Sequence, residues 1–268
     1  MELTIRLFGL PEITQDGRAL DLPRRKSRAL AYFLAAQPGP VRREALLPLF
    51  WIDLPRPSAL QTLRTTLHGL KKALGEALLL DGDEIRLDPQ VFVDVRAFES
   101  GLPSAAEDPA RLAAVMDLYR GPLLQGFQLP DGGGFEDWAV LERERLARLA
   151  RRGWQALAGL HEAAGDYQLA IQALEQALRE NPLQEDLQRE VIRLLFQAGD
   201  RPGAIRRYDQ LRRLLDDEMG VPPMAETRAL YDAILNETHN PAMLARLSGD
   251  LRRRPLDLAA GRAPARPA

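Results

Sequence analysis

PSALQTLRTTLHGLKKALG, residues 57–75, repeats leucine at three- and four-residue steps. Leu60, Leu63, Leu67, Leu70 and Leu74 therefore line one face of a helix, the apolar stripe of an element that packs on a core. The opposite face carries Ser58, Gln61, Thr62, Thr65, Gly69 and Lys72, with Arg64, His68 and Lys71 on the flanks. Amides, hydroxyls and cations occupy that face, and no carboxylate does. Gln, Arg and Lys pair with base edges, and Ser, Thr and Lys hold phosphates. An ordinary solvated helix is the other reading, but solvated faces mix both charge signs. The surrounding chain has to decide between the two.

The formal net charge of the 268 residues is −2, which by itself argues against a polyanionic partner. The distribution says otherwise. Leu22–Gly75 holds ten Lys and Arg against Glu44 and Asp53, a local charge of +8 that leaves −10 for the remainder. A basic segment joined to an acidic body suits a nucleic-acid-binding module followed by a protein-facing one. At 46% hydrophobic residues the chain can bury two cores, although aromatics make up only 6%.

Upstream, Leu3, Ile5 and Leu7 alternate with Thr4 and Arg6, and Asp16-Gly17 marks a hairpin between PEITQ and RALDL. The pattern turns helical from Arg24 to Gln37 and stops at Pro38-Gly39-Pro40. A second helix is expected over Arg42–Phe50, then a Pro-punctuated loop, then the helix of residues 57–75. LLL-DGDE-IRLD after Gly75 reads as a hairpin around Asp81-Gly82 with Arg86 near its tip. Strands, three helices and a hairpin make a winged helix with an extra N-terminal sheet. In that arrangement the third helix enters the major groove. Arg24, Arg25 and Lys26 are candidate phosphate contacts. Arg86 is either a wing contact or a solvated hairpin charge.

Val93-Asp94-Val95 closes this part, and the rest is expected to be nearly all helical: Asp94–Gly101, Asp108–Tyr119, Phe135–Ala164 and beyond. Leu102-Pro103 and Leu129-PDGGG separate these segments. The glycine run has no following Gly-Lys-Ser/Thr and reads as a connector. HEAAGDYQLAIQALEQAL and LFQAGDRPGAIRRYDQLRRLL align with Gly165 on Gly199 and Ala170 on Ala204, a period of 34 residues. That is the tetratricopeptide period. Trp154, Leu157, Ala170, Leu174, Ala177 and Pro182 fall on that motif's positions, and its first glycine slot holds Ala158. Trp154, Tyr167 and Tyr208 read as core side chains. The fold class is thus mainly α, a winged helix with small β-sheets followed by an all-α tetratricopeptide-like domain. The expected domains are 1–96, 97–237 and a basic, Pro/Ala/Arg-rich tail or linker, 238–268.

The chain has no cysteine, which excludes disulfide frameworks and Cys-based zinc fingers. His161-Glu162 begins a metalloprotease-like string, but Gly165 stands where a second ligand belongs. No nucleophile–base pair, metal-ligand set or phosphate loop is present, so neither a cofactor nor enzymatic activity is expected. No apolar run reaches a membrane span and MELTIRLFG is no signal peptide, so a cytoplasmic protein is expected.

Several motifs together resemble one family. LRTTLHGLKKALG, residues 63–75, is similar to the recognition-helix signature of the SARP-type bacterial transcriptional activators. VDVRAFE (93–99), YRGPLLQGF (119–127), Trp138 with LERERL (141–146), NPLQE (181–185) and MGVPPMAETRALYDAIL (219–235) resemble the bacterial transcriptional activator domain that follows it there. The likeness runs over about residues 3–236 and implies an OmpR-like winged helix joined to a tetratricopeptide-containing domain. It also implies binding to direct repeats in double-stranded DNA, recruitment of RNA polymerase holoenzyme, a homodimer on DNA and a place on the bacterial nucleoid. Arg64 and Thr65 fall on DNA-facing positions of the signature, and Lys71 and Lys72 on its basic pair. Gly69 departs from it, since an Arg is common there in the family. Many relatives continue into an ATPase or sensor domain.

Overall fold

The computed structural model describes residues 2–131 and 133–236. The tail expected over 238–268 lies outside the described residues. The chain divides into two compact units. The first holds residues up to Leu102 together with Ala114–Arg148, and the second holds Pro103–Ala113 and the chain from Leu149.

The first unit opens on β1 (Leu3–Arg6), β2 (Glu12–Gln15) and β3 (Arg18–Ala19). Leu3, Ile5 and Leu7 are buried, as their alternation predicts. Asp16 and Gly17 both have positive φ, 49° and 77°, which gives the tight turn a twist matching its strands. α1 (Arg25–Ala36) follows, with every residue from Ala29 to Ala36 buried.

The helix expected over Arg42–Phe50 is broken into pieces. β4 (Val41–Arg42) leads into a 3-10 turn at Arg43–Leu46, and α2 spans only Leu47–Phe50. Pro48 has no N–H to give the carbonyl of Glu44, so one continuous helix cannot form through it. α3 spans Arg56–Leu74 and starts with Pro57 in its first turn, where the missing N–H costs nothing. β5 (Leu78–Asp81) and β6 (Glu84–Leu87) form the hairpin. Asp81 pairs with Glu84, so the turn residues are Gly82-Asp83 rather than Asp81-Gly82. Arg86 pairs opposite Leu79, set back from the tip.

β7 (Phe92–Val93) runs parallel to β1, giving a four-stranded sheet ordered β3-β2-β1-β7, while β4-β6-β5 form the second sheet. Next comes α4 (Asp94–Ala105), which continues past Pro103 instead of stopping at Gly101. Its first residue ties the N-terminal sheet down. The buried carboxylate of Asp94 accepts the amides of Leu7, Phe8 and Val95 at 2.8–3.1 Å. Burial pushes the Asp94 carboxyl up from its ordinary range, against the opposing pull of those three amides and of Arg120.

α5 (Pro109–Met116) precedes an irregular stretch in which Phe8 and Leu123 form an isolated bridge. α6 (Gly133–Ala164) begins two residues before its expected start. The glycine run is more than a connector. A Cβ on Gly134 would come within 2.6 Å of the Pro48 carbonyl oxygen and 2.9 Å of the Leu49 Cα, so only glycine fits there. The first turns of α6 then add aromatic rings to the first unit. Trp138 meets Phe33 at 4.8 Å, Phe135 meets Phe50 at 5.5 Å, and upstream Phe127 meets Tyr32 at 5.2 Å between centroids.

The second unit contains α7 (Tyr167–Leu178), α8 (Glu185–Gln197), α9 (Arg201–Met219) and α10 (Ala225–Leu235). Its repeat is visible in the backbone. Gly165 and Gly199 adopt the same left-handed conformation, φ 82° and 84°, the first in the turn between α6 and α7 and the second in the turn between α8 and α9. Ala170 and Ala204 are fully buried, where a larger side chain would push the helices of a repeat apart. Tyr208 is buried and stacks on Tyr231 at 3.9 Å, whereas Trp154 and Tyr167 are only half-buried. Glu162, of the incomplete metalloprotease-like string, pairs with buried Arg193 at 2.9 Å. Arg193 also pairs with buried Glu190 at 2.8 Å.

Candidate nucleic-acid interface

α3 is the element whose outward face carries most of the candidate residues. Ser58, Gln61, Thr62, Arg64, Thr65, His68, Gly69 and Lys72 are all exposed. Ala59, Leu63, Thr66, Leu67, Leu70 and Leu74 are buried, and Leu60 only half so. Ala59 and Thr66 belong to the buried stripe, although sequence periodicity built from leucines alone passes over them. Thr66 is tolerated there because its hydroxyl donates to the carbonyl of Thr62 at 2.9 Å. Among the described residues Arg64, His68 and Lys72 have no intramolecular partner, so their donors face solvent. Gly69 is open to solvent as well, since a Cβ built there meets nothing within 4 Å.

The two exposed threonines present a particular chemistry. Thr62 donates its hydroxyl to the carbonyl of Ser58 at 2.9 Å, and Thr65 donates to that of Gln61 at 3.1 Å. With the proton committed to the helix, each offers outward a methyl group and an acceptor oxygen. A methyl suits the thymine C5-methyl group, and an acceptor suits a base amine. In this state neither can donate to a phosphate. Among the described residues Ser58, Arg64 and Lys72 keep their side-chain donors uncommitted, and the first turn of the helix has no side-chain cap and no acidic residue.

Lys71 behaves differently from its neighbour Lys72. It is half-buried, and its Nζ donates to the Leu78 carbonyl at 3.0 Å and to the Glu76 carboxylate at 3.3 Å. Arg43, not a sequence candidate, reaches the hairpin turn and donates to the Gly82 carbonyl at 3.1 Å. Arg56 pairs with Glu44 and so fastens the start of α3 to the preceding 3-10 turn. Arg86 is exposed on the outer face of the hairpin.

The cluster at the start of α1 is split by burial. Arg24 and Arg25 are exposed and Lys26 is half-buried. The Arg25 guanidinium lies 5.7 Å from the centroid of Phe127, with Arg28 at 5.9 Å, so part of this basic segment is stacked on an aromatic ring. The structure therefore gathers Ser58, Gln61, Arg64, Thr65, His68 and Lys72 on one helical face. It turns Lys71 toward the hairpin and sets Arg24–Lys26 and Arg86 on other elements. Arg43 and Arg56 carried no sequence signal beyond their charge.

Among the described residues no group of three His, Asp or Glu is arranged to hold a metal ion, and no helix is long and apolar enough to cross a membrane.

Comparison with known proteins agrees with this architecture. The family model described as "Bacterial transcriptional activator domain" matches residues 87–235. Transcriptional regulatory protein MoaR1 of Mycobacterium tuberculosis is 27% identical over 263 residues, covering 90% of this chain and 82% of its own length. Regulatory protein DnrI of Streptomyces peucetius is 29% identical over 259 residues, covering 87% and 92%. Regulatory protein AfsR of Streptomyces coelicolor is 28% identical over 260 residues that make up 92% of this chain and 25% of that much longer protein. Among solved structures, Mycobacterium tuberculosis EmbR in complex with a low-affinity phosphopeptide has the same fold, with a TM-score of 0.67. That match has 24% identity and covers 90% of this chain and 67% of that one. The chain therefore belongs to the bacterial transcriptional activator domain family, among the SARP-type transcriptional regulators.

Proposed function

We propose that this regulator is a sequence-specific DNA-binding activator that docks α3 in the major groove of double-stranded DNA. The observation that carries the reading is the acid-free outward face of α3, with Arg64, His68 and Lys72 unpaired beside a hairpin wing. Arg64 and Gln61 have the donor geometry to read guanine and adenine, and Thr65 offers a methyl and an acceptor. Ser58, Lys72, Arg24, Arg25 and Lys26 supply phosphate contacts, and Arg86 a wing contact. Lys71, which the resemblance pairs with Lys72, is turned to the Leu78 carbonyl and is not counted among these phosphate contacts. The resemblance adds direct-repeat operators, a second protomer on DNA and a cytoplasmic setting. The second unit then contacts RNA polymerase holoenzyme through its stacked helix pairs.

The alternative is a protein-interaction adaptor whose winged helix no longer binds DNA, which the missing cation at Gly69 favours. Selection of the full chain on a random duplex pool at low and moderate salt separates the two. Enrichment of repeated half-sites is expected for the activator. Retention that vanishes at moderate salt with no enriched sequence would leave the adaptor. In reconstituted transcription from the selected site, activation should need the second unit.

A further inference from the structure

The hairpin of β5 and β6 is short, and a two-stranded hairpin is barely stable in water by itself. Its two ends are tied by cations from helical elements. At the base, Lys71 reaches from the last turn of α3 across Gly75 to the Leu78 carbonyl, the first residue of β5. The ammonium also meets Glu76 and lies at the negative end of the helix dipole, so three interactions favour its staying there. Near the tip, the Arg43 side chain holds the Gly82 carbonyl at 3.1 Å while its own amide donates to the Asp83 carbonyl at 2.9 Å. The β4 pairing with β6 supplies only two residue pairs along the same edge.

We infer that Lys71 and Arg43 are positioning residues that set the hairpin against α3, rather than cations spent on a phosphate. The side chain they hold in place is Arg86, which faces outward opposite Leu79. This assigns the adjacent lysines of α3 to different work: Lys72 faces outward, and Lys71 braces the wing. The binding half of the inference rests on the DNA-binding reading above. The brace itself does not.

Hydrogen exchange on the full chain without DNA tests the brace directly. In Lys71→Met, peptides covering 78–87 should exchange about tenfold faster, the factor carried by one charge-assisted hydrogen bond, while α1 and the first turns of α3 keep their rates. Arg43→Met should do the same for peptides over the turn, and Lys71→Arg should restore protection. Wild-type exchange over 78–87 in both methionine variants overturns the inference. A binding cycle on the selected duplex then tests the consequence. If Lys71 acts through the wing, Lys71→Met adds nothing to the loss already caused by Arg86→Ala. Losses that multiply, with the salt slope dropping by about one more in the double variant, would make Lys71 a phosphate ligand and overturn it. Should the wild-type chain bind no duplex, the DNA reading fails and the exchange data alone decide the brace.

Discussion

The carboxylate of Asp94 accepts the amide of Leu7 through both oxygens, at 2.8 and 3.0 Å, across 87 positions of sequence. This contact joins the strand that opens the chain to the helix that follows β7. The family-matched region, which starts at residue 87, thereby begins inside the first compact unit. Three backbone donors depend on this one buried side chain.

Asp94→Ala should therefore destabilise the first unit by about 3 kcal/mol or more, because each buried N–H left without an acceptor costs roughly 1–3 kcal/mol. Asp94→Asn, which keeps one acceptor oxygen, should cost less. Urea unfolding followed by fluorescence of Trp51 and Trp138 measures both. A loss under about 1 kcal/mol for the alanine variant would mean that water replaces the carboxylate.

The aromatic rings contributed by residues 127–138 lead to a second expectation. A fragment ending at residue 96 leaves Tyr32, Phe33 and Phe50 without Phe127, Trp138 and Phe135. A fragment ending at residue 148 restores these three contacts. Burial of aromatic side chains is worth about 1.5–3 kcal/mol each. The longer fragment should unfold cooperatively at clearly higher urea. Equal midpoints would place the whole folding unit before residue 97.

Gly69 is open to solvent on a helix, so Gly69→Ala should stabilise the protein by about 1 kcal/mol. Gly69→Arg should stabilise it by a similar amount and also tighten DNA binding. The salt slope of its binding isotherm should steepen by about one. Stabilisation without any change in slope would mean that this part of α3 does not approach the phosphate backbone.

Arg64 and Lys72 separate reading from holding. Arg64→Ala should cost about 1–3 kcal/mol on the preferred duplex and relax discrimination at one base pair. Lys72→Ala should weaken matched and mismatched duplexes equally and reduce the salt slope by about one. Isotherms for both variants across several salt concentrations give the answer. If Arg64→Ala weakened all sequences alike, Arg64 would be a phosphate clamp and Gln61 or Thr65 the reader.

Glu190 predicts a pH dependence in the second unit. Burial raises its carboxyl above the ordinary 4.5, against the pull of Arg193, with Glu162 nearby raising it further. A raised carboxyl favours the fold while it is protonated. That contribution is present below pH 4.5 and is lost as pH rises through the raised value. Relative to Glu190→Gln, which cannot titrate, the wild-type protein should lose melting temperature as pH rises from 4.5 toward neutrality. A constant difference between the two would show that Arg193 holds Glu190 ionised throughout.

Much of this protein is legible from short-range pattern alone. The leucine spacing of residues 57–75 determines α3 and which of its faces meets the core, because a helix repeats over a few residues. Asp16-Gly17 and the repeat glycines Gly165 and Gly199 mark turns, because only a few residue types accept a positive φ. The breaking of the 42–50 helix is also written locally, in Pro48. Only the tertiary structure decided the rest. That Asp94 serves Leu7, that Gly134 must admit the backbone at Pro48, and that Lys71 turns to Leu78 while Lys72 stays outward are contacts between atoms brought together by folding. A polar side chain carries no periodicity that names its partner. Two adjacent lysines look identical in sequence, and about 100° of helical rotation sends them to different surroundings.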